Sequence, residues 1–143
     1  MRADARAAAV TLLNGYKTAH TGSLRQVYGA RPKSIAAPSA FVDSIDEEIA
    51  YTPAGMQRTP EVIIRLVRGT FSSGDVADAN DELVDGFIEH VIDNKHAAGP
   101  STLILVTSVR DEDGWVPEWI PDSLPYYSTL VTLSGEGLFG GVT

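Results

Sequence analysis

Pro60-Glu61-Val62-Ile63-Ile64-Arg65-Leu66-Val67-Arg68-Gly69-Thr70-Phe71, followed by Ser72-Ser73-Gly74-Asp75 and then by Val76 to Asn94, is the stretch that decides the fold. In residues 60–71, Val62, Ile64 and Leu66 alternate with Ile63, Arg65 and Val67, and β-branched side chains dominate, which is the signature of a strand. Residues 72–75 offer side-chain oxygens to the free N–H groups of a helix start. From Val76 onward the period changes. At about 100° per residue, Val76, Ala79, Leu83, Val84, Phe87, Ile88, Val91 and Ile92 fall on one broad face. Asp75, Asp78, Glu82, Asp85, Glu89 and Asp93 fall opposite, with no Lys or Arg before Lys95. A long strand thus runs into an amphipathic helix whose solvent side is acidic.

Outward from this centre, the alanine-rich residues 3–19 read as a first helix, with Val10, Leu13, Tyr16 and Lys17 at helical spacing and Gly15 weakening its end. Leu24 to Tyr28 reads as a short strand, and 29–38, with Pro32 and Pro38, as a loop longer than the usual ~4–6 residues. Residues 40–51 read as one bent strand or two short ones, and 52–58 as a turn. After the second helix, Ala98-Gly99-Pro100 ends the connection. Residues 101–109 then read as a strand, 110–125 as a polar loop, 126–135 as another strand, and 136–143 as a glycine-rich, flexible end. Strands on both sides of the second helix predict an α+β fold: an antiparallel or mixed sheet with two helices on one face, in a single domain spanning 1–143.

Composition narrows the function. The 143 residues are 43% hydrophobic, a globular balance. The absence of cysteine removes disulfides, thiolate nucleophiles and cysteine-based metal sites, and fits an intracellular life. No stretch approaches the ~18 apolar residues of a membrane span, and the start MRADARAAAV lacks a signal-peptide pattern, so a soluble, unprocessed chain is expected. The net charge of −8 is segregated. Residues 1–33 hold six basic side chains and one acidic, a net of +5, whereas residues 34–143 hold five and eighteen, a net of −13. An acidic chain repels phosphates over most of its length, so nucleic-acid wrapping is not expected, although the basic end suits an acidic partner.

Motifs for chemistry are missing. His20, His90 and His96 have no zinc-ligand spacing. Asp111-Glu112-Asp113-Gly114 has part of a calcium-loop pattern but lacks its distal Glu, and reads as a solvated turn. There is no G-x-S-x-G elbow and no P-loop. Gly135-Glu136-Gly137-Leu138-Phe139-Gly140 matches G-x-G-x-x-G in spacing, but no helix follows it. Six carboxylates on one solvated helix face read as a solubility or partner surface rather than acid–base machinery. No catalytic residue, metal or cofactor is expected. Trp115, Trp119, Tyr126 and Tyr127 surround the 110–125 loop, either as interface anchors or folded back onto the core.

Several phrases carry a resemblance. They are Tyr28-Gly29-Ala30-Arg31-Pro32-Lys33-Ser34-Ile35 with Ala40-Phe41-Val42-Asp43; Arg58-Thr59-Pro60 with Arg65-Leu66-Val67-Arg68-Gly69-Thr70-Phe71 and then Phe87; and Val116-Pro117-Glu118-Trp119-Ile120-Pro121 with Tyr126-Tyr127-Ser128-Thr129. Together they resemble tail-terminator or minor-tail proteins of long-tailed phages that infect actinobacteria, over most of residues 1–135. The resemblance implies a small α+β virion protein, assembled in the host cytoplasm, that forms a homo-oligomeric ring, usually a hexamer. Such a ring caps the tail tube, stops its polymerisation and meets the head-side connector protein, while DNA passes through its lumen without specific binding. A head–tail connector or neck protein one layer away is the alternative; a non-catalytic binding module is a more distant one. A closed ring needs heterologous contacts. The candidate interface residues are Arg31, Lys33, Ile35, Trp115, Trp119 and Tyr126. Asp78, Glu82, Asp85 and Glu89 are candidates for an acidic lumen, which would not grip phosphates, or for a partner face.

Overall fold

The structure, a computed structural model, describes residues 2–21, 24–33, 38–53, 55–70, 76–94, 105–118 and 126–138. Helix α1 (Arg2–Ala19) is built on alanine, the best helix former. It buries Ala5, Ala8, Ala9, Leu12, Leu13 and Tyr16, spaced three and four apart along one stripe, with Val10 half-buried beside them. Strand β1 (Gln26–Tyr28) follows, then β2 (Ser39–Thr52), β3 (Gly55–Thr70), helix α2 (Val76–Asp93), β4 (Leu105–Glu118) and β5 (Tyr126–Leu138).

The five strands form one mixed sheet in the order β1-β2-β3-β5-β4. β1 runs parallel to β2, and the other pairings are antiparallel. The Arg25 N–H donates to Pro38 O at 2.6 Å, fixing the start of β1 to the start of β2. The strand face carrying Ala40, Val42, Ile45, Val62, Ile64, Leu66, Val131 and Leu133 meets α1 and, from α2, Leu83, Val84, Phe87 and Val91. Both helices therefore serve one core, which is the expected α+β arrangement. Ile92 departs from the expected apolar face: it is 59% exposed. The side chain lies at the edge of the helix's apolar arc, one position beyond the buried Val91.

Several boundaries differ from the expectation. Residues 40–51 are one bent strand, interrupted by a bulge between Val42 and Ser44. The turn expected over 52–58 shrinks to the link between Thr52 and Gly55, and Gly55 adopts φ 126°, a conformation open to glycine. β3 runs through Pro60, where pairing with β5 lapses between Arg58 and Glu61. A residue without an N–H is tolerated where no ladder bond is required of it. The loop expected over 110–125 is strand as far as Glu118, so Asp111 to Gly114 are not a turn. Edge strands accept charge, and a register break between Glu112 and Val116 absorbs the glycine. β5 continues to Leu138, so 136–138 belong to the sheet rather than to a flexible end.

Candidate functional site

The bulge in β2 builds the first polar feature. Asp43 has no Cα partner across β3, because the register passes from Val42–Ile64 to Ser44–Ile63. A bulged residue is re-aimed relative to the pleat. Asp43 Oδ2 accepts from Arg65 Nη2 at 3.2 Å, and Asp43 Oδ1 accepts from Arg31 Nη2 at 3.4 Å. Arg65 Nη1 also donates to Ser128 Oγ at 3.0 Å, tying β3 to β5. The Arg31 guanidinium lies 5.2 Å from the centre of the Phe41 ring, over its face, where the ring's negative quadrupole attracts a cation. Two arginines thus share the Asp43 carboxylate. The cluster lies on the sheet face opposite the helices, where Phe41 and Val67 are fully buried.

Arg31 was expected at an interface, and it is exposed, as is Lys33. Arg25 is exposed beside β1 as well, and Arg6 donates to the Gly29 carbonyl from α1. These residues bring the basic end of the chain to the β1 margin of the sheet. Asp43 and Arg65 are the members that sequence reasoning missed. The available signal was Arg65, a charge inside the apolar run 62–67.

Helix α2 carries the second feature. Glu82, Asp85 and Glu89 are exposed, with Asp81 and Asp93 beside them. Asp78 lies in the same helix one turn before Glu82. Spacings of four, three, four and three residues from 78 to 92 align Asp78, Glu82, Asp85, Glu89 and Ile92 in one stripe. An exposed isoleucine therefore sits at the end of the acidic row.

The seam between the helices is close-packed around glycine. A Cβ at Gly86 would lie 2.7 Å from Tyr16 Oη, and one at Gly15 would lie 3.1 Å from His90 Nε2. Tyr16 contacts His20, Phe87 and His90 with ring centroids 4.7, 5.8 and 5.8 Å apart. Burial lowers the His90 pKa, and His20 lowers it further by charge repulsion; Asp93 and a backbone hydrogen bond at Leu12 oppose them.

Trp115 lies in β4 within the register break between Glu112 and Val116, and Tyr126 opens β5 opposite Thr70 and Glu118. Ile35 and Trp119 lie outside the described residues. Among the described residues, no group of three His, Cys, Asp or Glu could hold a metal ion. No helix among them is long and apolar enough to cross a membrane.

No protein-family model matches the chain, and no curated protein matches it. Among solved structures, the chain is similar to one from the virion of a native gene transfer agent (GTA) particle, at 12% identity and a TM-score of 0.47, over 91% of this chain and 94% of that one. A likeness of that size assigns no role to any residue here. The chemistry that the two surfaces can perform is charge-directed association: a basic sheet margin and an acidic helix face, each exposed.

Proposed function

We propose that this chain is a structural virion protein, a tail-terminator-like subunit whose copies form a ring on the end of the phage tail tube. The ring ends tube polymerisation and joins the tube to the head-side connector protein, and DNA crosses its lumen without specific binding. What supports the reading is a resemblance: phrases within residues 28–43, 58–71 and 116–129 are similar to those of tail terminators. They are seated on a helix–strand–helix–strand chain with the α+β architecture such a subunit requires. The two oppositely charged surfaces support it further, because a ring subunit needs two different faces that complement each other.

Electron microscopy of phage particles lacking this protein tests the proposal. Overlong tails on tubes detached from heads are expected, and tails of normal length would reject termination. Binding of the purified chain to assembled tail tubes is also expected. Binding only to portal-side complexes would move the protein to the neck.

A further inference from the structure

We infer that copies of this chain associate head to tail, with the basic β1 margin of one copy (Arg25, Arg31 and Lys33) docked on the acidic α2 face of the next (Glu82, Asp85 and Glu89, ending at Ile92). The inference rests on the ring reading and names its interface. Of the basic residues concentrated in 1–33, Arg25, Arg31 and Lys33 are exposed beside β1, and exposed Asp46 and Glu48 lie farther along the same edge, on β2. β1 and β4 occupy opposite margins of the sheet. α1 packs over β1, β2 and β3, whereas α2 packs against β4 and α1. The basic end of the chain thus flanks the β1 margin, and the acidic stripe belongs to the helix on the β4 side.

Three physical points select a second copy as the occupant and fix its orientation. First, a two-fold contact centred on either surface matches that surface with itself. Either surface would then face its own charge, and close like-charged groups repel. A reciprocal two-fold contact would need both surfaces in one patch, whereas they flank opposite margins of the sheet. Joining basic margin to acidic face removes that repulsion and generates a heterologous contact, the kind that closes into rings. Second, pairing the two sheet edges directly is disfavoured. The β2 edge beyond Val42 exposes Asp46 and Glu48, and β4 carries Asp111, Glu112 and Asp113. Third, Ile92, 59% exposed, gives the acidic face an apolar contact point. Interfaces place such a residue inside a charged rim. The acidic stripe on this reading is a partner face rather than a lumen wall.

Sedimentation velocity of the full chain tests the inference, using two double variants. Arg25→Glu with Lys33→Glu reverses the basic margin and leaves the Arg31–Asp43–Arg65 cluster intact. Asp85→Lys with Glu89→Lys reverses the acidic face. The wild type is expected to self-associate at low salt and to dissociate as salt rises. Each variant should associate about tenfold or more weakly, and an equimolar mixture of the two should recover assembly, because each variant then offers the other two complementary surfaces. Circular dichroism melts verify folding; should a reversal unfold, Asp85→Asn with Glu89→Gln replaces it on the acidic face and Arg25→Gln with Lys33→Gln on the basic margin, each expected to weaken association. A wild type that stays monomeric at low salt overturns the inference. So do variants that associate like the wild type, or a mixture that fails to recover. The ring reading is judged separately, by tail length in particles lacking the protein. Overlong tails together with unaffected variants would keep the ring and reject this interface.

Discussion

Single atoms decide several properties of this chain. Asp43 is held by two arginines of unequal exposure: the Arg65 side chain is 14% exposed and that of Arg31 43%. Removing a carboxylate from the more buried cation should cost more than removing the outer arginine. Asp43→Ala is expected to lower stability by about 1–3 kcal/mol, because it strips a charge-assisted bond from Arg65. Arg31→Ala should cost no more than about 1 kcal/mol, since exposed pairs contribute little. Urea unfolding of both variants measures the difference, and equal costs would refute the ranking. Gly55 opens β3 at φ 126°, where a side chain is strained. Gly55→Ala should destabilise by about 1–3 kcal/mol, read from the same unfolding midpoints.

At the scale of elements, the α1–α2 seam is closely packed around Gly15 and Gly86. Helix propensity alone predicts that Gly86→Ala stabilises α2 by about 1 kcal/mol. The Cβ would lie 2.7 Å from Tyr16 Oη, on a ring that is itself buried, so overpacking opposes that gain. Gly86→Ala is expected to be destabilising by about 1–3 kcal/mol. In a Tyr16→Phe background, which removes Oη, most of that cost should vanish. A double-mutant cycle showing no coupling would refute the contact. The same seam sets a pH dependence. His90 has a folded pKa below its ordinary 6.5, so the unfolded chain takes up the proton first as pH falls. Its stability contribution is full above pH 6.5 and is lost as pH falls from there through the lowered folded value. Repulsion from His20 adds to the penalty, and Asp93 offsets part of it. Unfolding midpoints across this window should therefore fall with pH, and His90→Gln should flatten the slope. A wild-type stability that rises on acidification there would refute the sign.

At the scale of the whole molecule, the distribution of charge matters more than any one pair. The basic residues cluster early in the sequence, and the fold carries that end to one margin of the sheet while α2 presents carboxylates on the other side. Each charge is worth little by itself. Arranged as two opposed surfaces, they determine which self-contacts are repulsive and which are not.

The sequence by itself determined the elements whose periodicity is local: α1, the long apolar strand β3, and α2 with its acidic row. Their side chains repeat at 3.6 or 2 residues, and a repeat needs no knowledge of what it packs against. Where strands are held by distant partners, local reading stopped short. Gly55 to Arg58 and Arg110 to Glu118 look like turn or loop because they are polar and contain glycine or proline, yet both are strand, since β2 and β5 supply the pairing. Gly15 weakens α1 in isolation, but its missing side chain makes room for His90. Only the tertiary structure decided that Asp43 and Arg65 meet, 22 residues apart, because a bulge re-aims a side chain in a way that no spacing records. It also decided that the acidic row and the basic end occupy different sides of one sheet. Strand order is a long-range choice, made by which faces bury together and not by any residue's own preference.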